Sequence, residues 1–183
     1  CLERTADGSR VAGAAWVRGL VTDGSRVFGS DGNGTVYAIE PAGRLLWQQS
    51  TANQGNENSA PVVSGGRVAF SGAAELVVLN ASNGQVLGRR SLGGGESHLF
   101  GRRAVAENNR WLFPSDNEIL VLSADGGTVQ ARLATPGDTK MSPAMVGGVI
   151  VFADQQGTVV VMDAQSGDVR TSVATGMTQP VAL

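Results

Sequence analysis

Apolar and polar positions recur along this chain with a period near 41 residues. Four segments share one pattern: GSRVFGSDGNGTVYAIEPAGRLLW, GGRVAFSGAAELVVLNASNGQVLG, NNRWLFPSDNEILVLSADGGTVQA and GGVIVFADQQGTVVVMDAQSGDVRT. Each contains a phenylalanine, at Phe28, Phe70, Phe113 and Phe152. The apolar stretches that follow begin at Val36, Leu76, Ile119 and Val159, at intervals of 40, 43 and 40 residues. Two landmarks with one period indicate a tandem repeat.

Each repeat predicts four short strands. The first opens at a proline in three places, Pro61, Pro143 and Pro180, and proline suits the first residue of a strand because no ladder donor is needed there. The second strand ends at the phenylalanine. The third is apolar throughout, which predicts burial on both faces. The fourth is more polar and follows a turn such as NASNG or DAQSG, whose residues tolerate positive φ and favour hairpins.

Tandem four-stranded antiparallel units of this length predict an all-β fold, a β-propeller of four-stranded antiparallel blades. One small sheet cannot cover its own apolar faces, so each blade depends on its neighbours. We predict a single propeller domain or a fragment of one, with four full blades plus partial blades at both ends. The full repeats cover residues 18–50, 60–92, 103–134 and 142–174, and the partial blades cover 1–13 and 178–183.

The partial blades leave three ways to complete a ring. The chain is a fragment of a longer propeller, two chains complete one ring, or the ends meet as an incomplete fifth blade. We favour the fragment. Because the repeat pattern runs through Cys1, we interpret this residue as a mid-strand position rather than the lipid-bearing end of a lipoprotein. Open blade edges also leave room for self-association.

The composition supports an all-β globular domain and makes some classes of binding partner unexpected. The 183 residues include 26 glycines and 6 prolines, and only 16% are charged. The formal charge of −2 gives no long-range attraction for phosphate backbones, so nucleic acid is not an expected partner. No apolar stretch approaches the roughly 20 residues of a membrane-spanning helix. The one cysteine has no partner for a disulfide or a metal site.

The turn Asp163-Ala164-Gln165-Ser166-Gly167, with its counterparts NASNG and SADGG, resembles the turn of pyrroloquinoline-quinone-like (PQQ-like) propeller repeats. The resemblance covers nearly the whole chain and implies the propeller fold. In that family the fourth strand usually continues to a tryptophan that docks against the next blade. Trp47 matches, whereas Gly88, Ala131 and Thr171 stand at the equivalent places of the later repeats.

Segment 140–182, KMSPAMVGGVIVFADQQGTVVVMDAQSGDVRTSVATGMTQPVA, is similar to a blade of the lipoprotein propellers of the bacterial outer-membrane barrel-assembly machinery. This resemblance implies a non-catalytic protein-interaction scaffold of the cell envelope, located in the periplasm or at the outer membrane periphery, or the sensor domain of a larger protein. Its expected partners are proteins, and no cofactor is expected. The alternative is a fragment of a PQQ-dependent quinoprotein dehydrogenase, in which the quinone binds with Ca²⁺.

Four arginines form the candidate partner-binding site. Arg89 and Arg90 precede Arg102 and Arg103 closely enough to predict a cluster that binds an acidic partner or a carboxylate. We assign no catalytic residue and no metal ligand. His98, the single histidine, is interpreted as a loop residue because no second histidine or cysteine lies near it in sequence. The loop SDGNG at 30–34 predicts a hairpin turn rather than a calcium loop, because it lacks the ligand series and the closing glutamate.

Overall fold

The computed structural model describes residues 19–51, 60–72, 75–92, 104–107, 110–114, 117–126, 128–137, 143–154 and 156–176. These residues form sixteen strands in four antiparallel sheets, and each sheet contains four strands in chain order. The chain divides into two compact units, the first made of residues 1–101 with 125–127 and the second of 102–124 with 128–183. Each unit contributes two of the sheets.

The first unit contains the first and second sheets. The first sheet consists of β1 (Gly19–Thr22), β2 (Val27–Ser30), β3 (Thr35–Ile39) and β4 (Leu45–Ser50). The second consists of β5 (Val62–Ser64), β6 (Arg67–Ser71), β7 (Glu75–Asn80) and β8 (Val86–Ser91). In both sheets the fourth strand carries a register shift opposite the end of the third, between Ala38 and Ile39 and between Val78 and Leu79. This irregularity therefore belongs to the repeat rather than to one blade.

The second unit contains the third and fourth sheets. The third sheet consists of β9 (Val105–Glu107), β10 (Arg110–Pro114), β11 (Glu118–Leu122) and β12 (Val129–Ala134). The fourth consists of β13 (Ala144–Val146), β14 (Val149–Ala153), β15 (Thr158–Asp163) and β16 (Val169–Ala174). Pro61 and Pro143 each lie one residue before the first strand of their sheet, β5 and β13.

Four four-stranded antiparallel sheets in series confirm the predicted blades, and the fold is an all-β propeller fold. The partial blades predicted at 1–13 and 178–183 lie outside the described residues, as do Cys1 and Pro180. In each described sheet, hairpins connect strands that are consecutive in the chain. Every paired set of strands inside a blade is therefore antiparallel and close in sequence.

The strand register corrects one landmark of the repeat. Phe28 pairs with Ala38, whereas Phe70 pairs with Val77, one position earlier on its neighbouring strand. Gly29, opposite Tyr37, is therefore the structural equivalent of Phe70. Since side chains alternate along a strand, this one-residue offset puts the Phe28 ring on the opposite face of its sheet. Matching phenylalanines by sequence was wrong for the first repeat.

The third strands confirm the predicted burial in three repeats. β7 is buried from Glu75 to Leu79, and β3 and β11 are buried at every position after the first. β15 differs, because Val159 and Val161 are only half-buried on one face while Val160 and Met162 are buried on the other. Equally apolar third strands thus differ in burial, because a strand is buried on both sides only where both faces of its sheet are covered.

Within each unit the two sheets share one apolar core. We call the face that packs on the following sheet the forward face and the face that packs on the preceding sheet the backward face. In the first unit, a forward face meets a backward face through Phe28, Val36, Ala38, Trp47, Val68, Phe70, Val77 and Leu79. In the second unit, the same kind of contact involves Leu112, Ile119, Val121, Leu133, Ile150, Phe152, Val160 and Met162.

Trp47 docks on the turn of the next repeat, as the family resemblance implied. Its indole Nε1 donates a hydrogen bond to the carbonyl oxygen of Ala81 at 3.0 Å, and its ring centroid lies 6.0 Å from that of Phe28. Gly84 ends the same turn at a φ of 73°, and a Cβ built on it would lie 2.7 Å from Cε3 of Trp47. Gly84 of the NASNG turn is therefore required by the tryptophan that covers it.

The Gly84→Ala variant should lose about 2–4 kcal/mol of unfolding free energy, because it combines positive-φ strain with overpacking against a buried ring. Gly66→Ala is the matched control, since Gly66 also has a φ of 73° but has no neighbouring atom within 4 Å of the added methyl group. Urea unfolding of both variants separates the two causes. Equal losses at the two positions would show that the contact with Trp47 has no energetic weight.

Candidate interaction surface

Two of the four predicted partner-binding arginines are adjacent on β8, in the fourth strand of the second blade. Arg89 lies opposite Val77 and Arg90 lies opposite Leu76 on the neighbouring strand. Because consecutive residues of a strand point to opposite faces, the two guanidinium groups lie on opposite sides of the sheet. Arg89 is exposed and Arg90 is half-buried. Arg102 and Arg103 lie outside the described residues, so the four-arginine cluster stays a prediction.

Arg89 makes an ion pair within its own sheet. Its Nη1 lies 2.6 Å from Oε1 of Glu75, and the two side chains are 42% and 10% exposed. The next blade repeats the pair with Glu118 and Arg132 at 2.5 Å. In both blades the arginine follows the glutamate by 14 residues and reaches it diagonally across two paired strands. The 14-residue spacing recurs in both repeats of the sequence and is the signal by which these pairs could have been predicted.

The ion pair limits what Arg89 offers to a partner. One of its donors is held by Glu75, so a partner carboxylate meets a guanidinium that is already partly neutralised. The same contact holds the side chain at the fourth strand of the blade, where it is 42% exposed. A positioned arginine loses less rotamer freedom on binding than a mobile one.

The loop SDGNG forms a hairpin turn, which confirms the prediction for residues 30–34. The backbone amide of Asp31 donates to the carbonyl oxygen of Thr35, and Oδ1 of Asp31 accepts from the amides of Asn33 and Thr35, each at 2.9 Å. Tyr37 donates its hydroxyl to Oδ2 of Asp31 at 2.6 Å. Burial and this hydrogen bond raise the pKa of Tyr37 to about 12. The carboxylate thus closes the hairpin.

The fourth blade uses aspartates in the same structural way. Asp154 accepts hydrogen bonds from the amides of Gln156 and Thr158 and is 8% exposed. Asp163, in the DAQSG turn, accepts from the amide of Ser166 and from the guanidinium of Arg170. These bonds lower the pKa of Asp163 to about 2 because they favour its ionised form. Each carboxylate is bound to the hairpin in which it lies.

Neither a metal-binding cluster nor a membrane-spanning helix is found among the residues that the structure describes. Within those ranges, no group of three or more histidine, cysteine, aspartate or glutamate side chains is arranged to hold a metal ion. No helix of those residues has the length and apolar character needed to cross a bilayer. His98 and the glycines at 93–95 lie outside the described ranges, so their interpretation stays a prediction.

A protein-family model described as "Outer membrane protein assembly factor BamB" matches residues 32–182. The chain belongs to this family. The match begins after β2 of the first blade, so it covers the second half of that blade and all of the second, third and fourth blades. The PQQ-like resemblance of the DAQSG-type turns is thereby confirmed at the level of the family.

Individual relatives agree with the family. The chain is 27% identical over 163 residues to the outer membrane protein assembly factor BamB of Legionella pneumophila (strain Paris). This alignment covers 80% of this chain and 40% of that protein. The crystal structure of BamB from Moraxella catarrhalis superposes with a TM-score of 0.68 at 16% identity, over 86% of this chain and 53% of that one. The chain therefore spans about half or less of the length of these relatives.

The fold also occurs in an enzyme. A europium-containing methanol dehydrogenase superposes with a TM-score of 0.61 at 14% identity, over 88% of this chain and 42% of the enzyme. At this identity the likeness shows the blade architecture alone, because propellers carry unrelated activities on one scaffold.

Proposed function

We propose that this chain is part of a non-catalytic protein-interaction scaffold that serves outer membrane protein assembly in the bacterial cell envelope. The observation that carries the proposal is the family match over residues 32–182 to an outer membrane protein assembly factor. The proposed location is the periplasm or the outer membrane periphery, either as a lipoprotein or as a domain of a larger envelope protein. The proposed partners are proteins.

The use of the acidic side chains supports this function. Asp31, Asp154 and Asp163 bind hairpin amides, and Glu75 and Glu118 bind arginines of the neighbouring outer strands. Carboxylates that hold Ca²⁺ or act as a general base need oxygens directed at a shared ligand position. These five instead act in different hairpins and strand pairs. Their contribution is a rigid surface, which is what a scaffold requires.

Deletion of the gene in its own bacterium tests the proposal. We expect the amounts of outer membrane proteins in purified outer membranes to fall, and expression of the gene from a plasmid to restore them. Unchanged amounts would contradict the assembly role. A second measurement tests the alternative: pyrroloquinoline quinone with Ca²⁺ should leave the melting temperature of the purified chain unchanged, since a ligand of the native state would raise it by mass action.

The arginine cluster gives a residue-level prediction. With a tagged chain cross-linked in cells, Arg89→Gln should reduce the recovery of the cross-linked protein partners, because the variant removes positive charge that attracts an acidic surface. Arg132→Gln is the matched control, since it breaks the equivalent ion pair with Glu118 in the next blade. The Glu118–Arg132 pair is exposed and contributes roughly 0–1 kcal/mol, whereas Glu75 is only 10% exposed and its pair is expected to contribute more. Circular dichroism of both variants therefore checks that each is folded before recovery is compared. Equal recovery from the two variants would remove Arg89 from the binding site.

Combined substitution of Arg102 and Arg103 by glutamine extends the same experiment. If the four arginines act together, this double variant should reduce partner recovery at least as much as Arg89→Gln, and its effect should weaken as ionic strength rises. Full recovery from the double variant would restrict the site to β8.

A further inference from the structure

The turns between the third and fourth strands meet three different side chains, although their sequences are alike. In the second repeat, the turn glycine Gly84 lies against the ring of Trp47 on β4. In the third repeat, a Cβ on Gly126 would lie 2.5 Å from Cγ2 of Val78, so this turn lies on the second sheet itself. In the fourth repeat, the turn glycine lies against Leu133. Each turn therefore has its own docking environment.

Two of these turns accept an indole hydrogen bond at the same position, but the tryptophans belong to different strands. Nε1 of Trp47 donates to the carbonyl oxygen of Ala81, the second residue of NASNG. Nε1 of Trp111 donates at 2.9 Å to the carbonyl oxygen of Ala124, the second residue of SADGG. Trp47 comes from the blade on which its turn docks, whereas Trp111, on β10, comes from the blade that contains its turn.

Strand register shows which residue replaces each tryptophan in the other repeat. Gly88 is the equivalent of Trp47, because each lies opposite the last residue before the register shift of its sheet. Val68 is the equivalent of Trp111, because each lies opposite the first residue after that shift. The second turn is therefore matched with Trp47 and Val68, and the third with Gly88 and Trp111. Each pair contains one tryptophan and one smaller residue.

The third turn approaches β8 too closely for a side chain at position 88. A Cβ on Gly88 would lie 2.1 Å from the carbonyl oxygen of Asp125. Gly88 is paired with Val78 within the strand and is not among the glycines with positive φ, so an unusual backbone conformation does not explain it. A glycine inside a strand often marks the close approach of another backbone. Gly88 is therefore required by the turn that docks on it.

Repeats of such similar sequence need a means of selecting the correct neighbour, because interchangeable docking surfaces permit misassembly and domain swapping. If β4 received the third turn, two tryptophans would compete for one carbonyl group and the site would be overpacked. If β8 received the second turn, neither strand would supply an indole, and a cavity would remain. Both mismatches are costly, which is how an interface excludes a wrong partner.

We propose that these two pairs, Trp47 with Val68 and Gly88 with Trp111, are specificity determinants that fix which turn docks on which blade. The pairs are mutually exclusive because each turn accommodates one indole. The partner that each pair selects is a segment of this same chain, the NASNG turn at 80–84 for the first pair and the SADGG turn at 123–127 for the second.

Exchange of the residue types within the second pair tests the proposal by thermal unfolding. Gly88→Trp should lower the melting temperature by roughly 5–10 °C, because it overpacks the turn. Trp111→Val should lower it by about 10 °C or more, because the indole is 2% exposed and its removal leaves a cavity. The double variant reproduces the first pair and should regain about half or more of the loss caused by Trp111→Val. Gly88→Trp should thus stabilise one background and destabilise the other.

A matched control places the new tryptophan in the wrong blade. Ala131 is the equivalent of Gly88 in the third sheet, since it lies opposite Val121, just before the register shift. Ala131→Trp should therefore restore none of the melting temperature that Trp111→Val loses. Recovery equal to that given by Gly88→Trp would overturn the proposal, because the rescue would then not depend on which blade receives the turn.

The converse exchange, within the first unit, keeps the proposal testable if Gly88→Trp prevents folding. Val68 shares a core with Trp47 and Ala81 and is fully buried. Val68→Trp should lower the melting temperature of the unmodified chain and raise that of the Trp47→Gly variant. Additive shifts in both exchanges would overturn the proposal, since independent sites add and coupled sites do not. These measurements concern folding alone, so the proposal fails or stands separately from the role in outer membrane assembly.

Discussion

Replacement of Trp47 with alanine is expected to lower the free energy of unfolding of the first unit by about 3–5 kcal/mol, the range for large-to-small changes at buried aromatic residues. The indole is 9% exposed and fills the space between Phe28 and the next turn, so its removal leaves a cavity between two sheets. It also leaves the carbonyl oxygen of Ala81 without the indole donor. Urea unfolding followed by circular dichroism measures the loss.

Trp47→Phe is the control for the hydrogen bond. Phenylalanine keeps most of the ring but has no donor for Ala81, so we expect a smaller loss of about 1–2 kcal/mol. The effects of the two substitutions should also be coupled. In a Trp47→Ala background, Gly84→Ala should lower the free energy of unfolding by less, because only the positive-φ strain remains. A loss below about 1 kcal/mol for Trp47→Ala would show that the ring does not seal the two sheets.

Replacement of Phe152 with alanine should destabilise the second unit by about 3–5 kcal/mol. Phe152 is fully buried on the backward face of the fourth sheet, where it shares a core with Leu112, Ile119 and Leu133 of the third. The third and fourth sheets cover each other's apolar faces, so removal of the ring leaves a cavity in the core that they share. Hydrogen exchange of the β14 and β15 amides should accelerate together with those of β11.

Val173→Ala is the matched control on the other face of the same sheet. With Val173 59% exposed in the 183-residue chain, its truncation should change stability by no more than about 0.5 kcal/mol. A large cost in the 183-residue chain would contradict the exposure of this face.

Much of the fold could be predicted because the blade is built from local contacts. The apolar stretches beginning at Val36, Leu76 and Ile119 are central strands, and SDGNG and NASNG are hairpin turns. Both features depend on residues close in sequence, whose φ preferences and alternation act before any tertiary contact forms. The same pattern of strands and turns occurs in four repeats, which strengthens the prediction.

The candidate site was less predictable for a geometric reason. Arg89 and Arg90 are neighbours in sequence, yet strand alternation sends them to opposite faces. The ion pairs Glu75–Arg89 and Glu118–Arg132 depend on the register of two strands joined by a turn, and a shift of one residue would break them.

The sequence by itself determined the repeat, the four strands of each blade and the turns between them, because these follow from local propensity and a period of about 41 residues. Only the tertiary structure decided which face each side chain occupies and whether another sheet covers it. Phe28 and Phe70 occupy matching positions in the sequence repeat but lie on opposite faces of their sheets. Val159 matches Val36 in the repeat, yet Val36 is fully buried and Val159 is only half-buried. The reason is physical: alternation makes the face of a strand depend on exact register, and burial depends on a neighbouring blade that the local sequence does not encode.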